Sequence, residues 1–190
     1  MAIQERLYTV DDVWQLAQQP ENERKHFYLI DGELFWDMPP GYIHGNLAGH
    51  IFRYLLNYAE AHDLGDGSVE AGYYPADDRH TLLGPDVAFI RKQDAPPTDH
   101  AQFVPRMPDL AVEIQSPSNT IAELRRKAAV YLANGAELVW LVLPEQRGVE
   151  VWRVGSSGEP MTDFVARDGS LSGEGVLPGF TLDLERLFSS

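Results

Sequence analysis

The stretch from Asp109 to Leu143 constrains the fold more than any other part of the sequence, because it predicts a strand, a helix and a second strand in succession. Its first segment, DLAVEIQ, alternates strictly, as in a strand whose two faces differ. One face carries Leu110, Val112 and Ile114, and the other carries Asp109, Ala111, Glu113 and Gln115. We therefore expect one face in the core and the other lining a site.

A helix follows this strand. Thr120 and Glu123 form the Thr-x-x-Glu capping pattern that opens a helix, and Asn134-Gly135 ends it. The next run, LVWLVL, is apolar on both faces, which indicates a central strand covered by helices on both sides of the sheet.

The remaining patterns supply further elements. Helical spacing predicts a short amphipathic helix over 9–19, and a longer packed helix that follows the break at 39–41 and runs to about 61. Asp31-Gly32 suits a two-residue turn, so a hairpin is expected over about 27–37. A polar loop is expected over roughly 93–108, and strands at about 68–74, 86–91, 148–154 and 160–166.

Together these elements predict an α/β fold, in which a mixed β-sheet is flanked by helices and preceded by an N-terminal helix and a β-hairpin. At 190 residues the chain is long enough for one domain with a full core. We expect a single domain over 1–190, with the helix and hairpin in 1–40, the core in 41–166 and a C-terminal tail in 167–190.

Composition limits the chemistry. The absence of cysteine excludes disulfides, thiolate metal sites and cysteine nucleophiles, so a bound metal needs oxygen or imidazole ligands. No apolar run approaches the ~20 residues of a membrane span, and the start of the chain lacks a signal-peptide layout, so we expect a cytoplasmic protein with no membrane partner. The formal charge of −14 counts against tight nonspecific binding to DNA, which is a polyanion.

Two carboxylates in predicted strands are the main candidates for a metal site. Asp86 lies in the segment GPDVAF and Glu113 lies in AVEIQSPS. Paired strands bring side chains within ~5 Å of each other, which suits two oxygen ligands of one Mg²⁺ or Mn²⁺. The carbonyl of Ile114 can be a third ligand. The alternative readings are a turn-forming aspartate and a solvent-facing glutamate.

A cation is expected beside these carboxylates. Lys127 lies on the helix after the Glu113 strand, where it can lean toward the site, orient an attacking water and stabilise charge on a phosphate. Its neighbours Arg125 and Arg126 are expected to point elsewhere and to bind DNA phosphates. A solvated helix face is the alternative reading of this basic run.

Several of these segments together resemble a known family. GPDVAF, PDLAVEIQSPS, the helix lysine followed by Tyr131, NGAELVWLVLP and FYLIDGELFWDMPPGYIHGNL are similar to the Uma family of predicted restriction endonucleases, which is common in bacteria and lies within the PD-(D/E)XK nuclease superfamily. The resemblance covers roughly residues 8–155. It implies a restriction endonuclease-like fold and metal-dependent cleavage of DNA.

The resemblance also implies roles for particular residues. It assigns Asp86 and Glu113 to the metal, makes Lys127 a displaced form of the superfamily lysine, and places Glu33 and His44 near the site.

Two departures from the family pattern bear on activity. The position two after the metal-binding glutamate, where the superfamily usually has lysine, is Gln115, which can polarise or position water but supplies no charge. The common aspartate before the proline after the central strand is here Leu143.

Three functions therefore stay open from the sequence. The first is a Mg²⁺-dependent DNA endonuclease that uses metal-activated water. The second is a nuclease-fold protein used for binding or assembly, with a weakened or lost active site. The third is hydrolysis of a small phosphorylated metabolite, which tolerates an acidic exterior better than duplex DNA does. A homodimer is also an open expectation, because many nucleases of this fold cut both strands as dimers.

Overall fold

A six-stranded mixed sheet forms the centre of the computed structural model, which describes residues 6–97, 100–155 and 157–189. Its strands, in chain order, are β3 (Gly65–Val69), β4 (Val87–Arg91), β5 (Leu110–Ile114), β6 (Leu138–Leu143), β7 (Gly148–Val154) and β8 (Pro160–Ala166). They lie side by side in that same order. Only β5 and β6 run parallel, and the other neighbouring pairs of this sheet are antiparallel.

Helices cover both faces of the sheet, so the predicted fold class is confirmed. The described helices are α1 (Val10–Ala17), α2 (Tyr42–His62), α3 (Ile121–Ala133) and the short α4 (Leu184–Leu187). The helix α3 connects the two parallel strands, as a crossover between parallel strands requires. None of the helices in the described ranges is both long enough and apolar enough to cross a membrane.

The central strands divide the core into two layers. Alternate residues of β5 and β6, such as Val112 and Trp140, pack against α2, and the residues between them, such as Ala111 and Leu141, pack against α3. Every residue of β6 is buried. The prediction of a central strand covered on both sides therefore holds.

The N-terminal elements meet the sequence prediction closely. A hairpin joins β1 (His26–Ile30) to β2 (Glu33–Asp37), and Asp31 and Gly32 take the positive φ angles of 54° and 79° that its two-residue turn needs. Thr9 caps α1 through its side chain, as Thr120 caps α3. The hairpin packs on the α3 layer through residues that include Tyr28, Ile30 and Phe35.

Two expectations from the sequence are wrong in detail. The strand predicted at 68–74 lies earlier, at Gly65–Val69, and Glu70 with a φ of 52° ends it. Glycines conceal this strand because they have low strand propensity, yet they are needed there: a Cβ on Gly65 would lie 2.1 Å from the carbonyl oxygen of Ile90.

The second concerns the expected C-terminal tail, which is part of the core. A hairpin of β9 (Ser170–Ser172) and β10 (Thr181–Asp183) leads into α4, and all three pack in the layer of α2. Tyr58 on α2 donates a hydrogen bond of 2.9 Å to the carbonyl of Pro178. The apolar residues of this segment stand singly or in pairs between polar residues and glycines, so the sequence showed only a short apolar end.

Asp109 fixes the start of β5, at the end of the strand farthest from Glu113. Its side chain is buried, and its Oδ2 accepts the backbone N–H of Arg91 at 2.8 Å. Its Oδ1 accepts further bonds from the guanidinium groups of Arg91 at 2.9 Å and Arg106 at 3.1 Å. This network ties β4, β5 and the preceding loop together.

Replacing Asp109 with asparagine removes the charge from this network and should lower the free energy of unfolding by about 2–3 kcal/mol. Asp63→Asn is the matched control, because Asp63 forms an exposed pair with Lys92 that is worth less than about 1 kcal/mol. Urea unfolding of both variants measures the difference. Equal losses would show that Asp109 contributes no more than a surface charge.

Candidate active site

The candidate site lies where β4 begins and β5 ends. The pairing of Val87 with Val112 places the preceding Asp86 opposite Glu113 on the face of the sheet that α3 covers. Asp86 is held in this position because its Oδ2 accepts the backbone N–H of Ile114 at 2.6 Å. Both candidate metal carboxylates and the Ile114 backbone thus line one cleft.

Both carboxylate oxygens of Glu113 accept hydrogen bonds from residues of α3. Its Oε2 accepts a hydrogen bond of 3.1 Å from Nζ of Lys127, and its Oε1 accepts one of 2.8 Å from the hydroxyl of Tyr131. Glu113 is 4% exposed and Lys127 is 7% exposed. The predicted lysine therefore reaches the carboxylate from the helix as a buried ion pair.

Burial and the neighbouring charges shift the pKa of each member of this pair in opposite directions. Burial raises the pKa of Glu113 above its ordinary value, against the attraction of Lys127. Burial alone would lower the pKa of Lys127, but the carboxylates of Glu113 and Asp37 outweigh it and raise that pKa above its ordinary value. Lys127 is therefore a permanent cation at neutral pH.

His44 reaches the same carboxylates from the first turn of α2. Its Nε2 lies 3.1 Å from Oδ2 of Asp86, and the ring is buried. Burial opposes its charging, but the bond to Asp86 and the charge of that carboxylate raise the pKa of His44 above its ordinary value. The placement of His44 near the site agrees with what the family resemblance implies.

Asp37, Glu70 and His26 line the cleft and were not predicted from the sequence. Asp37 ends β2, and its Oδ2 lies 3.7 Å from Nζ of Lys127. Glu70 lies 3.9 Å from the ring of His26. A carboxylate at a strand end before two prolines was the available signal for Asp37, whereas nothing local marks the other two.

Glu33 and Gln115, two other candidates from the sequence, lie outside this cleft. Glu33 is exposed and its carboxylate is 3.7 Å from the guanidinium of Arg126. Gln115 follows the last residue of β5, and its amide donates to the carbonyl of Asn119 at 3.5 Å. Its side chain lines a neighbouring groove instead. Their roles in catalysis stay predictions.

The arginines expected to bind DNA already pair with carboxylates. Arg125 makes two hydrogen bonds to Glu150, at 2.5 and 3.1 Å. Arg126 lies beside Glu33 and stacks over the ring of Phe35 at 5.7 Å. Both point away from Lys127 as predicted, but the positive charge they offer to a phosphate is partly compensated.

The donor atoms of the cleft suit a Mg²⁺ or Mn²⁺ ion that is held by few protein ligands. In the part of the chain that the structure describes, no group of three or more His, Asp, Glu or Cys side chains is arranged to hold a metal ion. A Mg²⁺ site needs only one or two carboxylates, since waters and substrate phosphate complete it. Asp86 and Glu113 keep acceptor positions for this, because an ionised carboxylate has about four.

A comparison with known protein families identifies the family of this chain. The model of the Uma2 family, described as "Putative restriction endonuclease", matches residues 12–185. The chain therefore belongs to the Uma2 family. No curated protein matches it significantly.

A solved structure shows the same fold. The crystal structure of a protein from Anabaena variabilis, described as "a putative nuclease belonging to DUF820", superposes with a TM-score of 0.79 at 18% sequence identity. The match covers 95% of this chain and 97% of that one. At this identity the likeness extends to the fold alone.

Breaking the buried pair of Glu113 and Lys127 should lower the free energy of unfolding. Glu113→Ala removes the closer of the two carboxylates that pair with Lys127, leaves the more distant Asp37, and should destabilise the fold by about 3 kcal/mol. Lys127→Met should cost a similar amount, and the double variant Glu113→Ala with Lys127→Met should lose clearly less than the sum of the two single losses.

Urea unfolding of the two single variants and the double variant measures this coupling. Lys92→Met is the control, because its exposed pair with Asp63 should contribute about 1 kcal/mol or less. Additive losses at Glu113 and Lys127 would mean that the two side chains do not stabilise each other.

Proposed function

We propose that this protein is a metal-dependent endonuclease that hydrolyses phosphodiester bonds in DNA. The observation that carries the proposal is the joint placement of Asp86, Glu113, the Ile114 backbone and Lys127 in one cleft. Membership of a family described as restriction endonucleases supports the same reaction class. Two carboxylates beside one cation suit metal-assisted hydrolysis of a phosphodiester, because they can hold the ion and stabilise negative charge on the phosphate.

The carboxylates of Asp86 and Glu113 and the carbonyl of Ile114 would hold Mg²⁺ or Mn²⁺. When bound, the ion polarises a phosphate oxygen and lowers the pKa of a bound water. The backbone N–H of Ile114 keeps Asp86 turned toward the cleft. The hydroxyl of Tyr131 keeps Glu113 in place through a hydrogen bond to Oε1 of its carboxylate.

Lys127 supplies the fixed positive charge. An ammonium group has three donors, and the bond to Glu113 uses one of them. The remaining donors can orient the attacking water and bind a phosphate oxygen as negative charge develops there. Because nearby carboxylates raise its pKa, Lys127 serves as a cation and not as a proton acceptor.

His44 is a positioning residue in this proposal. Its ring contacts the oxygen of Asp86 that also accepts the Ile114 N–H, so it restricts the rotation of that carboxylate. Neither Glu33 nor Gln115 lines the cleft, so the roles above are derived without them and their own catalytic roles stay predictions.

Cleavage of supercoiled plasmid DNA should require Mg²⁺ or Mn²⁺ and should stop in EDTA. Glu113→Gln should lower the rate by at least ~10²-fold, because a neutral amide is a poor ligand for either ion. Glu60→Gln is the control, since Glu60 lies on the same helix as His44 but roughly 24 Å along its axis. No cutting by the wild-type protein with either metal would favour the binding or assembly function.

Lys127→Ala should lower turnover by about 10²–10³-fold while changing metal affinity less than tenfold, because the lysine acts on the phosphate and not on the ion. Mn²⁺ titration followed by electron paramagnetic resonance measures the affinity, and single-turnover cleavage measures the rate. Lys127→Arg, which keeps the charge, should recover part of the rate. Parallel losses of affinity and turnover would assign Lys127 a structural part.

A further inference from the structure

An apolar groove adjoins the candidate active site and is not used by the chemistry proposed above. It lies between the start of α2 and the loops that follow β5 and β6, and has a volume of about 580 Å³. Three of its residues, His44, Ser116 and Asn119, also line the carboxylate cleft. The groove and the cleft therefore form one continuous surface.

The entrance to this groove exposes large apolar side chains. Tyr42 is 85% exposed and Ile43 is 68% exposed, and both line the groove at the first turn of α2. Met38, which lines the carboxylate cleft, is 60% exposed. Apolar side chains gathered in this way beside a polar site commonly mark a binding surface.

The charges of the groove disfavour a phosphate backbone as its occupant. Among the described residues that line it there is no lysine or arginine, and Glu145 contributes a negative charge. The basic residues nearest in sequence to Lys127, Arg125 and Arg126, lie beside carboxylates. Duplex DNA presents phosphates outward and keeps its base faces stacked inside, so it offers this surface little to bind.

An unpaired base has an apolar face and polar edges, and the lining of the groove can bind both. Base faces stack on exposed aromatic side chains, and this contact does not depend on basic residues. Tyr42 supplies the aromatic ring, and the amide of Gln115, whose bond to the Asn119 carbonyl is long at 3.5 Å, can hydrogen-bond to base edges. Because the groove continues into the cleft, a base held there would be joined to a phosphate near Asp86 and Glu113.

We propose that the groove binds unpaired bases of a single DNA strand, and that the substrate of the site is single-stranded or locally unpaired DNA and not continuous duplex. This assignment rests on the proposed function and names its substrate class. Tyr42 is the specificity-determining residue, since it forms the stacking surface at the mouth of the site.

The test measures binding separately from cutting. Fluorescence anisotropy with EDTA present compares a labelled single-stranded 20-mer, the matching blunt duplex and an abasic strand of equal length. The single strand should bind at least about tenfold more tightly than the other two. Tyr42→Ala should weaken binding of the single strand about tenfold, and Tyr42→Trp should restore it.

Phe164→Ala is the matched control, because Phe164 is a half-exposed aromatic on β8, at the far edge of the sheet. It should leave all three affinities unchanged. Wild-type affinity in Tyr42→Ala, or equal binding of duplex and single strand, would overturn the inference. So would a Tyr42-dependent dimer in sedimentation, which would show that a second copy covers the patch.

The two proposals fail separately. Tyr42-dependent binding of the single strand without metal-dependent cutting would support the groove and refute the nuclease. Metal-dependent cutting of duplex that is insensitive to Tyr42→Ala would support the nuclease and refute the groove.

Discussion

The buried pair of Lys127 and Glu113 is the interaction on which the rest of the site depends. It places two charges between α3 and the sheet, where an unpaired charge would cost several kcal/mol. A slip of α3 by one turn would separate the two and leave the Tyr131 hydroxyl without its partner, so the pair fixes the helix on β5. Well-packed apolar residues would serve stability as well or better. The pair is therefore better explained by what it offers at the cleft than by its contribution to folding.

The overall charge of −14 and the chemistry of the site act on different length scales. Charges on the exterior are screened within about 10 Å at ordinary salt concentrations. Lys127, by contrast, lies within hydrogen-bond distance of Glu113 in the cleft. The acidic exterior weakens general attraction for polyanions. It leaves the local balance of Asp86, Glu113 and Lys127 intact. A nuclease of the proposed kind would have to select its substrate by contacts other than phosphate charge, and the apolar groove is the surface proposed for this.

Patterns local in sequence predicted the fold well, and contacts distant in sequence escaped them. The alternation through Glu113 and the capping pair at Thr120 identified β5 and α3 because each is set by neighbouring residues. The strand at Gly65 was misplaced because its glycines are selected by contacts with β4, more than twenty residues away. Asp37 was missed for the same reason, since only the docking of the hairpin brings it to Lys127.

The position of Lys127 also bears on the lysine that the sequence lacks at Gln115. A lysine at Gln115 would have to approach the carboxylates from the end of β5, whereas the side chain there turns to the neighbouring groove. Lys127 approaches from the helix and already contacts Glu113 at 3.1 Å. What transition-state charge requires is a cation at a given point in space, whichever element supplies it. Gln115 is therefore compatible with an intact site, and in the proposal made above its side chain contacts the substrate in the groove.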